Sequence, residues 1–368
     1  MTAHAMVAPL SPELRSARLS ALSSAAVRLG DVAAASTAVD EALKSPVTST
    51  QELVARTFAA AGLDPGSATA ATEDPHDVLV TLSACCHPSL PEVARIALML
   101  SVAAGLPSAD VARAFAVPED TMAHRIAWAQ NRVRLALGAA IPEPDHPEHL
   151  GRVLDVLLLI FDDGITHPHC QADLPQEALD TTRALVELFP AEQEPRALLA
   201  LMLLTRARRD ARLDDDGALI SLDLQDRSLW HRADIDEGLF LLRGSKREGR
   251  TGRYQVAASI QAEHVSAREP GDTDWDRILA LHDRLLQLAP SDTVVLGRAV
   301  ALAEVRGPEL ALELVEGLGL DSHLFHATRA ALLRRLGRDE EADRAWIAAQ
   351  ARVRGAAEHA RLSGRMER

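Results

Sequence analysis

Three groups of side chains in this sequence have the types and spacing to do chemistry. Thr121, His124, Arg125, Arg132 and Arg134 lie within one stretch, EDTMAHRIAWAQNRVR, of helical periodicity. The arginines suit phosphate oxygens, and Thr121 and His124 suit base edges. A second, more scattered group is Asp162, Asp163, Asp216, Asp226, Trp230, Tyr254 and His264. These are the parts of a polar pocket, although no nucleophile–base–acid arrangement is visible among them. The third is ITHPHC, where His167, His169 and Cys170 are chemically competent metal ligands. No partner ligands stand at matching spacing, so a polar loop tip is the simpler reading. Cys85-Cys86-His87 is likewise read as a small-residue packing site, because adjacent cysteines do not easily share one tetrahedral ion. No metal and no cofactor is therefore assigned.

The elements that must position the first group run from Pro91 to Arg134. Ile96, Leu98, Met99 and Val102 give an apolar helix that Gly105, Leu106 and Pro107 should end. Ser108 is expected to cap the next helix. Val117-Pro118 then forces a turn, since the residue before proline is pushed out of the helical region. Pro118 suits the first turn of the helix that follows. Met122, Ile126, Ala129 and Val133 should face inward, leaving Asp120, Thr121, Ala123, His124, Arg125, Ala127, Gln130 and Arg132 outward. Helix, tight turn, helix is the spacing of a DNA-reading helix-turn-helix; an ordinary helical hairpin has the same spacing.

CCHPSL, LPEVARIALML and GLPSADVARAFAVPEDTMAHRI resemble region four of extracytoplasmic-function sigma factors of RNA polymerase. The subgroup resembled has a long C-terminal helical extension. LDDDGALISLDLQDRSLW, YQVAASIQAEH, TDWDRILALHDRLLQLAP and GRDEEA continue the resemblance, which covers roughly Asp74 to Arg354. It implies a helix-turn-helix domain at 76–140 and a larger C-terminal helical domain at 151–355, in which ALLRRLGRDEEADRAW has the residue placement of a tetratricopeptide repeat; the three prolines of IPEPDHPEHL make 141–150 the linker candidate, and 356–368 is a charged tail. The fold class expected is all-α.

In that family the N-terminal segment is region two, which docks on polymerase and melts the promoter. Melting needs aromatics for unstacked bases and cations for phosphates. Residues 1–75 offer Phe58, Arg15, Arg18, Arg28, Lys44 and Arg56, and are read as a shortened, degenerate remnant. On the expected recognition helix, Trp128, Gln130 and Asn131 stand where the family pattern has basic residues. Glu119 and Asp120 favour a helix N-terminus but repel a DNA backbone.

Charge agrees with a weakened nucleic-acid surface. The 368 residues carry a net charge of −14, while residues 91–137 carry five basic and four acidic side chains. A broadly basic coat is excluded. Three cysteines make no disulfide framework, and a reducing cytoplasm fits best. VLDVLLLIF (153–161) is too short to span a bilayer, so it is read as a buried helix ending at Gly164. Other segments are plainer. ALISL alternates and is read as a short extended piece, and SKREGRTGRYQ as a solvated basic loop. Residues 275–354 read as stacked helical hairpins.

Three functions remain open. The first is a sigma-factor-like regulator contacting promoter DNA or RNA polymerase through the helix-turn-helix. The second is a repurposed module whose helical domain binds a protein or a small molecule. The third is an enzyme built on the polar group. Convergence of those seven residues would favour the second and third; scatter would favour the first.

Overall fold

The computed structural model describes residues 12–47, 49–64, 75–115, 117–138, 146–166, 173–212, 220, 222–245 and 251–366. Among them the chain is all-α, without strands, as expected. It forms two compact units, 1–199 and 200–368, and the division between them falls within a helix. Residues 141–145 lie outside the described set, and His146–Leu150 already belong to a helix.

The first unit contains α1 (Pro12–Leu29), α2 (Val32–Ala42), α3 (Thr50–Ala60), α4 (Pro75–Cys85), α5 (Glu92–Val102), α6 (Ser108–Ala114), α7 (Glu119–Gly138), α8 (His146–Thr166) and α9 (Leu174–Leu188). Next comes α10 (Gln193–Arg206), in which the second unit begins. Short polar residues start several of these helices by accepting otherwise orphaned backbone N–H groups. Asp31 does so for α2, Ser49 for α3 and Asp173 for α9. Ser108 does not: Pro107 holds the cap position of α6, without a side-chain bond, and Ser108 is the first helical residue.

Helix α1 is the hub, packing against α2, α3, α4 and α9. Its Leu19, Ala21, Leu22, Ala25 and Ala26 are fully buried, so small residues let the neighbouring helices approach. Two arginines are buried in the same helix. Arg15 donates to Glu177 Oε2 at 2.6 Å and lies 3.4 Å from Asp180 Oδ2. Arg18 donates to the carbonyls of Val102, at 2.6 Å, and Ala103, at 3.3 Å, at the end of α5. Helix α8 does not stop at Gly164 but continues to Thr166. Gly164 sits where α9 comes closest: a Cβ there would run into Pro175 and stand 2.8 Å from Leu174 Cβ. The glycine serves helix packing, not termination.

The second unit continues from α10 through 3-10 turns at Arg209–Ala211, Leu222–Leu224 and Arg227–Leu229. The extended reading of ALISL gives way at Leu222, which is in the second of these turns; Ala218, Leu219 and Ser221 lie outside the described residues. Helices that each pack on the next in sequence follow: α11 (Arg232–Ser245), α12 (Arg253–Ser266), α13 (Trp275–Leu288), α14 (Asp292–Arg306), α15 (Pro308–Glu316), α16 (His323–Arg335) and α17 (Asp339–Met366). Asp274, Ser291 and Ser322 cap α13, α14 and α16. Val256, Ile260, Ile278, Leu285 and Ala301 form one core, and residues of α14 to α17 around Leu312, Val315, Leu332 and Leu333 form the next. Residues 356–366 of the expected tail extend α17.

Candidate functional site

The hairpin α6–α7 turns within residues 115–118. Val117 N bonds the Ala112 carbonyl at 3.0 Å, and Met122 N bonds the Pro118 carbonyl at 3.1 Å. Met122, Ile126, Ala129 and Val133 are buried, so the inward stripe of α7 is the one the periodicity predicts. His124, Trp128, Arg132 and Arg134 are exposed, and Thr121 and Arg125 are half-buried. Trp128 shares a stripe with His124 and Arg132, four residues either side. The residue is 48% exposed, with the Arg132 guanidinium 6.0 Å from the ring centroid. The outward face is thus a mixed aromatic and cationic surface. His124 Nδ1 lies 2.6 Å from the Asp120 carbonyl and Arg134 donates to Asn131 Oδ1 at 2.8 Å.

The cations of residues 1–75 are all engaged within the protein. Arg15 and Arg18 are buried as described. Arg28 lies over the Phe58 ring, 5.1 Å from its centroid, and bonds Ser24 O and Asp77. Lys44 pairs with Glu41, and Arg56 with Glu52 and the carbonyls of Ser45 and Pro46. Phe58 itself is fully buried.

Cys85 and Cys86 are both buried, and loss of solvation pushes their thiols up, to about 12 for Cys85. His87 is exposed beside Ser89. His167, His169 and Cys170 lie outside the described residues; among those described, no group of three or more metal-binding side chains occurs. Asp162 is exposed and Asp163 half-buried on the last turns of α8.

In the second unit the polar group divides. Asp216 lies outside the described residues. Asp226 is exposed, and hydrogen bonding from Ser228, first from its side chain and then from its N–H at 2.8 Å, holds the Asp226 carboxyl below the usual range. Tyr254 is buried under Arg253, near the start of α12. Ten residues separate it from His264, about 15 Å along the helix axis at 1.5 Å per residue. Trp230 and His264, by contrast, belong to one cluster, built around two arginines the sequence reading did not single out as a pair.

That cluster forms because the 227–231 segment folds back on the end of α10. His231 N donates to the Ala207 carbonyl at 2.8 Å. Arg208 then reaches Gln261 Oε1 of α12 at 2.6 Å. Arg227 lies over the Trp230 ring, 4.6 Å from its centroid, and donates to the His264 and Ala267 carbonyls at the end of α12. Gln261 and His264, one turn apart, thus receive both arginines. Trp275 of α13 closes the far side, edge-on to the His264 ring at 5.5 Å.

Burial brings the Arg208 pKa down to about 10, with Arg212 and Arg227 adding like charge. Burial, then Arg208, His282 and Arg227, lowers His264 to about 3, so its ring is neutral at pH 7. The chemistry available is multiple N–H donation in a positive, partly dehydrated setting.

Fold and site together describe an all-α protein with a helical hairpin surface in one unit and a donor-rich cluster in the other. Residues 149–246, which carry Arg208, Arg227 and Trp230, match a family of unknown function (DUF6596). The chain is also 41% identical over 294 residues to the uncharacterized protein R00370 of Rhizobium meliloti (strain 1021). The alignment covers 77% of this chain and 69% of that protein, and this chain belongs to the same family. No helix among the described residues is long and apolar enough to cross a membrane.

Proposed function

We propose that the chain is a sigma-factor-like transcription regulator of the cytoplasm. Its α6–α7 hairpin acts as a helix-turn-helix on promoter DNA or RNA polymerase, and its second unit acts as a tetratricopeptide-like platform that modulates this contact. The observation carrying the reading is the partition of α7: Met122, Ile126, Ala129 and Val133 inward, with His124, Trp128, Arg132 and Arg134 outward. A recognition helix needs that partition, because the groove-facing side must be free of the core. The N-terminal helices support a narrower role than initiation. With Phe58 buried and all five cations engaged, they offer neither stacking surface nor free charge to a melted strand.

The test is co-elution with core RNA polymerase, followed by promoter opening on a panel of fragments. Binding without opening is the expected result. Binding with opening would restore full sigma activity and overturn the reading of residues 1–75. Absence of binding to both polymerase and duplex DNA would sink the proposal. It would favour the second reading, a helical module for a protein or small molecule, which the Arg208–Arg227 cluster supports. An enzyme reading gains little from the geometry, since Tyr254 stands about 15 Å from His264 along α12 and the Asp226 carboxylate is spent on Ser228 N.

A further inference from the structure

We infer that Arg208, Arg227, Trp230 and His264 form a binding site for a small oxyanion, a phosphate group in free or esterified form. The inference goes beyond the transcriptional reading and stands whether or not polymerase binds.

Internal packing uses only part of what these side chains offer. Arg227 spends Nη1 on the carbonyls that end α12, yet its Nε and Nη2 are buried without an acceptor. Arg208 spends Nη2 on Gln261, yet its Nε is buried and unbonded. Trp230, only 4% exposed, gives its ring face to Arg227 and leaves its Nε1–H without a partner. His264 Nδ1 is in the same condition. Buried N–H donors are normally satisfied, and so many missing acceptors in one neighbourhood need a cause.

Charge points the same way. Buried cations are ordinarily paired with carboxylates. Here four carboxylates near the cluster are committed elsewhere. Asp210 holds His231 at 2.8 Å, Asp234 holds Arg206 at 2.7 Å, Glu263 holds Arg277 at 2.7 Å, and Asp226 caps its own turn. No ion pair involves Arg208 or Arg227 among the described residues. What remains is a set of N–H donors with net positive charge and a neutral imidazole. A tetrahedral oxyanion, with several acceptor oxygens and one or two negative charges, satisfies both deficits at once. Arg208, Arg227 and His264 are each half-buried, so the cluster borders solvent.

The experiment uses the full chain, with inorganic phosphate and sulfate as probes and chloride at matched ionic strength as the control. Isothermal titration should give saturable binding near one equivalent, with a dissociation constant of about 1 mM or tighter. Thermal unfolding should shift upward with phosphate and not with chloride. Trp230→Phe keeps the ring under Arg227 but removes Nε1–H, and should weaken binding about tenfold. Arg227→Lys keeps charge but loses the planar fork, and should weaken it further. Arg298→Gln, which breaks a surface pair with Asp283, should leave binding unchanged. Glycerol phosphate run in parallel separates the sources: a preference for the free ion or for the ester identifies which is bound. Absence of saturable binding to any of these probes would overturn the inference. So would equal affinity in folded Trp230→Phe and Arg227→Lys proteins.

Discussion

Arg18 and Gly105 are fitted to one another across 87 positions of sequence. The Arg18 guanidinium, buried between α1 and the end of α5, donates to the Val102 carbonyl at 2.6 Å. It fills the space where a side chain at residue 105 would begin: a Cβ there would stand 2.7 Å from Arg18 Cζ. Gly105 also has φ +75°, a region that side-chain-bearing residues rarely adopt. Burial lowers the Arg18 pKa, and Asp40, 3.5 Å away, partly offsets that. Gly105→Ala should therefore lose about 1–3 kcal/mol, from backbone strain and from crowding the guanidinium. Chemical denaturation of the single variant and of Gly105→Ala with Arg18→Met checks it. The two changes should be non-additive, because they act on one contact.

Gly164 gives a test in which two effects have opposite sign. Alanine favours a helix interior over glycine by about 1 kcal/mol. At 164 its Cβ meets Pro175 and Leu174 across the α8–α9 contact. Overpacking of that kind costs about 1–3 kcal/mol, so Gly164→Ala should be net destabilising. A raised melting temperature would show that α8 and α9 leave room for a methyl group at 164.

Arg125→Ala addresses the proposed docking face of α7. If Arg125 neutralises a phosphate, binding to duplex DNA should weaken for every sequence tested, and the salt slope should fall by about one. Fluorescence anisotropy on two unrelated duplexes at several salt concentrations checks this. Unchanged binding at low salt would remove Arg125 from the DNA face.

His264 and His282 make the second unit sensitive to acid. Burial is the leading cause of both low values, about 3 for His264 and about 4 for His282. Unfolded, each ring takes up a proton near 6.5; folded, each resists doing so until far lower pH. Their contribution is complete above about pH 6.5 and is lost as pH falls toward 4 and then 3. Unfolding free energy measured from pH 7 to 4.5 should decline, and His264→Gln and His282→Gln should each flatten the decline. A variant with the wild-type slope would show that its histidine titrates normally.

What the sequence determined by itself is local and periodic. Met122, Ile126, Ala129 and Val133 were assignable to the buried side of α7 because a helix repeats every 3.6 residues. The all-α class and the hairpins of α13 to α17 follow from the same period. Only the tertiary structure decided the fate of the charged residues. Arg15 and Arg18 counted among the cations that residues 1–75 offer to phosphates, yet their partners Glu177 and Val102 lie 162 and 84 positions away, and nothing periodic reports such pairings. Gly164 read as a helix end because a glycine's local preference is legible and the approach of Pro175 is not. Arg208 went unnoticed in an arginine-rich stretch, since a donor acquires meaning only from the groups folded around it. Trp230 and His264 were chosen for their chemistry; Arg227, by reaching the end of α12, is what joins them.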